Sequence, residues 1–242
     1  HLGRLWIAES VKSCKRVTCW SPDYALLDQY WGQADYGAMA GFPLTFDATR
    51  FIAHGIEFKL DPAPDPWHRK TGEQPLVYHP ELAQERGIVY KVGNREYACG
   101  VPGYNKPSHL KIFKRAEDGV FRPVVTVTLP GQRKVDGKTV KFASKAWTDL
   151  DEDGKEDAGE VVDNVDIKGM YWSNGWVRPD LTILGVNGVT FAPTGFTANG
   201  VPKYDFASPA KVPNWIAAQD AQDSAGTPVI NDAGNISDGI AY

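Results

Sequence analysis

A chain of 242 residues, 42% hydrophobic and 23% charged, can bury one large core or two small ones, which excludes an intrinsically disordered protein. Its net charge of -4 and pI near 5.8 argue against the basic face of a nucleic-acid binder, and no apolar run approaches the length of a membrane span. Three cysteines, Cys14, Cys19 and Cys99, permit at most one disulfide and form neither a C-x-x-C pair nor a C-x-x-C-H haem site.

Glycines and prolines scattered among short apolar runs predict many turns and an all-β fold. Residues 3–32 divide into Gly3 to Glu9, Lys15 to Trp20 and Leu26 to Tyr30, with the Ser21-Pro22-Asp23 turn between the last two, and this predicts a three-stranded meander. The segment resembles one unit of an NHL-type β-propeller, through Gly3, Leu5 to Glu9, Arg16-Val17, Pro22-Asp23, Leu27, Tyr30 and Gly32; Tyr24 stands where the repeat usually has a turn glycine. The resemblance implies β-propeller blades, with a β-sandwich as the alternative, because regular short strands with turn signals describe both.

Further strands are predicted at Arg50 to His54 and Ile56 to Leu60, followed by a proline-rich link at 61–67. A second group comprises Gln74 to His79, Gly87 to Val92, Glu96 to Gly100, Leu110 to Lys114 and Phe121 to Thr128, the last two joined by the Ala116-Glu-Asp-Gly119 turn. Beyond residue 160 the pattern predicts strands at Gly169 to Ser173, Leu181 to Leu184, Val189 to Ala192 and Val201 to Phe206, and a loop at Pro193 to Gly200. The expected organisation is one domain, 1–242, of enlarged units at 1–67, 68–135 and 136–212 and the start of a fourth at 213–242. Three such units cannot close a ring of about four to eight blades, so other chains or further blades are the expected partners.

The strongest chemical signal is Asp149-Leu-Asp151-Glu-Asp153-Gly154-Lys155-Glu-Asp157-Ala-Gly-Glu160, which fits the calcium-loop template D-x-[DN]-x-[DN]-G-x5-E at every fixed position. Calcium takes six to eight hard oxygens from a tightly folded loop. On this pattern Asp149, Asp151 and Asp153 each give an oxygen, Lys155 its carbonyl, Asp157 acts through water, and Glu160 closes the shell with both oxygens. Seven acids against one lysine would repel one another without a cation, although acidic turns also occur as plain solvated loops. The loop resembles that of the EF-hand family over these twelve residues alone. Its position 8 is Glu156 where paired hands carry an aliphatic residue, and Val140 to Trp147 has no helical face. The resemblance is to the solitary calcium loops of exported bacterial proteins, implying structural Ca2+ and an extracellular or periplasmic location.

Other candidates are weaker. His1, His54, His68, His79 and His109 show no metal-ligand spacing. An opening His1 resembles the copper oxygenases of polysaccharides, but no other stretch matches that family. Gly103 to Pro107 gathers Tyr104, Asn105 and Lys106 on a turn, and Trp31, Trp67, Trp172 and Trp176 could stack on sugars or fill a core. The expected function is binding or assembly, toward a polysaccharide or protein ligand. The alternative is a polysaccharide lyase or hydrolase, which would gather Tyr104, Lys106, His54 or His79 in one cleft.

Overall fold

The computed structural model describes residues 4–8, 16–31, 41–47, 49–59, 75–102, 109–135, 138–167, 177–185, 187–212, 229–230 and 236–237. Strands β1 (Leu5–Ala8), β2 (Arg16–Trp20) and β3 (Leu26–Trp31) form the antiparallel meander. The Ser21 hydroxyl accepts from the Ala25 N–H at 3.0 Å across the β2–β3 turn, and Tyr24 takes the left-handed conformation there, with φ of 63°. This is the position at which a glycine was the expected residue.

Strands β4 (Gly41–Pro43), β5 (Arg50–Ala53), β6 (Ile56–Lys59) and β7 (Pro75–Tyr78) make a second antiparallel sheet in chain order. A short 3-10 turn at Pro80–Leu82 leads into β8 (Glu85–Val92), β9 (Arg95–Pro102), β10 (His109–Arg115) and β11 (Phe121–Thr128). The chain then leaves as a two-stranded ribbon, β12 (Gly131–Val135) and β13 (Lys138–Phe142), before β14 (Lys145–Thr148) returns beside β11 and β15 (Val161–Asp163) beside β14. The resulting six-stranded sheet has the order β15-β14-β11-β10-β9-β8.

C-terminal to it lie β16 (Ile183–Leu184), β17 (Val189–Phe191), β18 (Pro193–Phe196), β19 (Pro202–Tyr204) and β20 (Ala210–Lys211), paired as β16-β17-β20 and β18-β19. Two short strands, β21 (Val229–Ile230) and β22 (Ile236–Ser237), pair with each other. The fold is all-β with antiparallel sheets, none of them closed, and the described residues form no α-helix and none long and apolar enough to cross a membrane.

The six-stranded sheet is apolar on both faces, because successive side chains of a strand point to opposite sides. Val89, Ala98, Phe113 and Phe121 face Phe42, Leu44, Ile52 and Leu82 from the β4–β7 side. Their neighbours Tyr90, Tyr97, Cys99 and Ile112 face Leu181, Ile183, Phe191 and Phe206 on the other. The first pair of sheets is joined where Leu44 bridges to Val89 and the Thr45 N–H donates to the Val89 carbonyl at 3.1 Å.

Several expectations change in detail. Pro193 to Phe196 is strand β18 rather than loop, because cross-strand pairing to β19 outweighs the turn character of Pro and Gly; the turn itself is confined to Thr197–Gly200, where the Gly200 N–H donates to the Thr197 carbonyl at 2.9 Å. Strands β4, β12, β13, β14, β15, β20, β21 and β22 add to those predicted. The expected unit boundaries at 67/68 and 135/136 fall between β6 and β7 of one sheet and inside the β12–β13 ribbon. The proline-rich link, the 103–107 turn and the strand expected at 169–173 lie outside the described residues.

Candidate metal centre

The acidic loop is the connection between β14 and β15, so two strands, not two helices, hold its ends. At its base the Thr148 N–H donates to the Glu160 carbonyl at 3.0 Å, and the Asp149 N–H reaches Val124 of β11 at 2.9 Å. Inside, carboxylates organise the backbone: Asp149 Oδ2 accepts from the Gly154 N–H at 3.2 Å, Asp151 Oδ1 from Asp153 at 3.2 Å, and Asp153 Oδ1 from Lys155 at 2.8 Å. Gly154 has φ of 76° with open space where a Cβ would stand, so backbone conformation and not crowding calls for glycine here.

Glu160 is drawn inward from the far end. Its Oε1 accepts from the Leu150 N–H at 2.6 Å, and its Oε2 from the Trp147 indole N–H at 3.2 Å. The same indole donates to the Lys155 carbonyl at 3.1 Å and leaves that oxygen a second lone pair. Carboxylate oxygens of Asp149, Asp151 and Asp153 lie within 4.8 Å of one another, as do those of Asp151, Asp157 and Glu160. Asp151 belongs to both groups, so the acidic cluster is able to hold a metal ion.

Two features test the fit. Asp149 is only 3% exposed, and its Oδ1 has no hydrogen-bond partner, a costly state for a buried carboxylate oxygen. Burial, with the charges of Glu160 and Asp151, raises the Asp149 carboxyl above the usual aspartate range despite the Gly154 hydrogen bond. The second feature is how the lysines are spent. Lys114 pairs with Glu152 at 2.5 Å and Lys145 pairs with Glu156, at template positions that bind no metal, and Lys155 pairs with Asp153 at 3.0 Å. Among the described residues no cationic side chain pairs with Asp149, Asp151, Asp157 or Glu160. Oxygen-only donors with uncompensated charge suit a hard cation.

The structure does not gather the other predicted groups. His79 is fully buried: its Nε2 meets Glu57 Oε2 at 3.0 Å and its Nδ1 accepts from the Phe121 N–H at 3.2 Å, which fixes the Nε2–H tautomer. His54 sits in the β5–β6 turn, with φ of 49°, and His109 meets Glu85 at 2.9 Å. Cys19 and Cys99 are free and buried; Trp31 ends β3. His1, Cys14, Trp67, His68, Tyr104, Lys106, Trp172 and Trp176 lie outside the described residues.

Sequence reasoning missed Trp147 and Lys114, which shape the loop, and a partly buried ionic network beside His79. In that network Arg50 joins Asp47 at 2.7 Å, Glu57 at 3.0 Å and Glu96 at 2.7 Å, while Arg115 joins Glu57 at 2.6 Å. Of these, Trp147 alone carried a local signal, being an aromatic two positions before the first loop acid. In comparisons with known proteins, no family model matches the chain and no curated protein matches it.

Proposed function

We propose that the loop is a calcium site of structural purpose, in a chain of NHL-like β-propeller blades that serves binding or assembly outside the cytosol. The observation that carries the metal reading is the orphaned Oδ1 of buried Asp149, beside Asp151, Asp157 and Glu160, which no described lysine pairs. Calcium is favoured over magnesium because the loop offers seven oxygens: three from Asp149, Asp151 and Asp153, the Lys155 carbonyl, a water at Asp157 and two from Glu160. Bound there, the ion would neutralise the cluster and supply no other chemistry. Strands on both sides make it a pin for the β14–β15 connection and not a helix-opening switch.

The propeller reading is supported by the six-stranded sheet, which packs a different sheet on each face as an inner blade does, whereas a two-layer sandwich leaves each sheet one open face. A binding or assembly role agrees with an incomplete ring that other blades or chains complete. A single loop without a cooperative partner fills where free calcium is abundant, which favours an extracellular or periplasmic setting.

Thermal melting with calcium and with chelator tests the metal. Saturating calcium should stabilise the wild type by about 2–3 kcal/mol at a hundredfold excess over Kd, and Glu160→Gln should erase most of that gain. Melting curves that coincide with and without chelator reject the site.

A further inference from the structure

The β12–β13 ribbon stands apart in composition from the sheets that carry it. Residues 131–142 hold four basic side chains against one acid, a net of +3 in a chain whose total is -4, so the other residues together carry -7. Every residue of β13 is exposed, and neither Lys138 nor Lys141 enters an ion pair with a described residue. On the six-stranded sheet Lys111, Lys114 and Lys145 are each tied to a glutamate, and Lys91 lies over the Phe46 ring at 5.7 Å.

The register gives the ribbon two unlike faces. Gly131 pairs with Phe142, Arg133 with Val140 and Val135 with Lys138, which places these six positions on one face. At the base of that face Phe142 lies across Gly131: a Cβ on Gly131 would stand 2.7 Å from the ring's Cζ. Glycine therefore leaves room for the tip of the ring beside the ribbon backbone, while the residue remains 36% exposed. A ring exposed to this extent offers apolar surface to the C–H face of a sugar. Lys138 stands about 13 Å further along the strand, at four residues of about 3.3 Å each, with the Arg133 position between them.

We propose that this ribbon is the carbohydrate-binding surface of the protein and that its ligand is a carboxylated polysaccharide. One sugar ring stacks on Phe142 while a carboxylate further along the same chain meets Lys138. This rests on the binding role proposed above and names its ligand class, but it does not depend on the metal. Charge sets the choice of polyanion. Nucleic acid carries a phosphate charge every 1.7 Å of duplex and needs an extended basic track, whereas this ribbon is short and the remaining -7 would repel so dense a charge. A uronate chain, with one charge per sugar, matches a few spaced cations beside a stacking ring.

Titration calorimetry of the full chain with short galacturonate oligomers tests the proposal, with neutral glucose oligomers of equal length and single-stranded DNA as the comparison ligands. The wild type should bind the galacturonate oligomer in preference to both. Lys138→Glu should weaken binding about tenfold or more, Phe142→Ala should weaken it about tenfold, and Lys138→Arg should retain it. Since these side chains lie on an exposed ribbon, circular dichroism of the variants should match wild type. Unaltered affinity in the charge-reversal and Phe142→Ala variants, absent binding by the wild type, or tighter binding of DNA would each overturn the assignment. Melting the same samples with and without chelator scores the calcium reading separately.

Discussion

Glu57 shows how a side chain that seems ill-placed is made favourable by its neighbours. It is 1% exposed on β6, and burial alone would raise its carboxyl; hydrogen bonds from His79 and Arg115, with the charges of Arg115 and Arg50, outweigh that and hold it at about 2. The sign of the pH effect follows. The unfolded value is 4.5, so the network's contribution is complete above that pH and is lost as pH falls from 4.5 toward 2. A depression of this size corresponds to about 3 kcal/mol. Urea unfolding along a pH series should show stability declining through that window, with the wild type taking up one more proton on unfolding than Glu57→Gln. Equal pH slopes in the two proteins would remove Glu57 from the account. Asp47 adds to the same window, its carboxyl lowered to about 2 chiefly by the Thr49 hydroxyl, with Arg50 contributing.

At the scale of elements, legibility in the sequence tracks how local the cause is. The meander β1–β3 and the β10–β11 hairpin were readable because Ser21-Pro22-Asp23 and Ala116 to Gly119 announce their turns, and the acidic loop because its template fixes residue and spacing together. Strand β18 was not readable, since Pro193 and Gly195 argue for a loop until β19 is present to pair with them. The ribbon is not legible because its lysines, threonine and glycine obscure the alternation. Least readable was Lys114: it is buried on β10, and its ammonium bridges Glu152 of the loop at 2.5 Å and the Asn199 carbonyl of the β18–β19 turn at 3.0 Å, residues 38 and 85 positions away. It thereby clamps the turn to the acidic loop. Lys114→Met keeps the aliphatic stem and removes both bonds, for an expected loss of about 2 kcal/mol. Amide exchange at Gly200 and Val201, whose N–H groups bond to Thr197, should accelerate in this variant more than exchange at Ile112. Equal protection at all three would show that the clamp is not needed.

For the whole molecule the question is whether two apolar cores mean two independent folding units. They sit on opposite faces of one six-stranded sheet, and each requires that sheet to be formed before its own partner has a surface to cover. Ile112 and Phe113 are adjacent on β10, both fully buried, yet Ile112 belongs to the core shared with β16–β19 and Phe113 to the core shared with β4–β7. Successive side chains of a strand point to opposite faces, so the branched chain and the ring meet different sets of neighbours, and a bulge at Val124 of β11 shifts the pairing register beside them. Truncating either should cost about 3–4 kcal/mol, from lost burial and the cavity left behind. If the sheet is a shared foundation, Ile112→Ala and Phe113→Ala should each lower the midpoint of one transition, and that midpoint should agree between tryptophan fluorescence and far-UV circular dichroism. Independent cores would instead split the curve: each variant would shift one step and leave the other in place. The geometry favours a single step, because the Leu44–Val89 bridge and the Tyr97 hydroxyl bond to the Gly200 carbonyl at 2.6 Å tie both flanking layers to neighbouring strands of the same sheet.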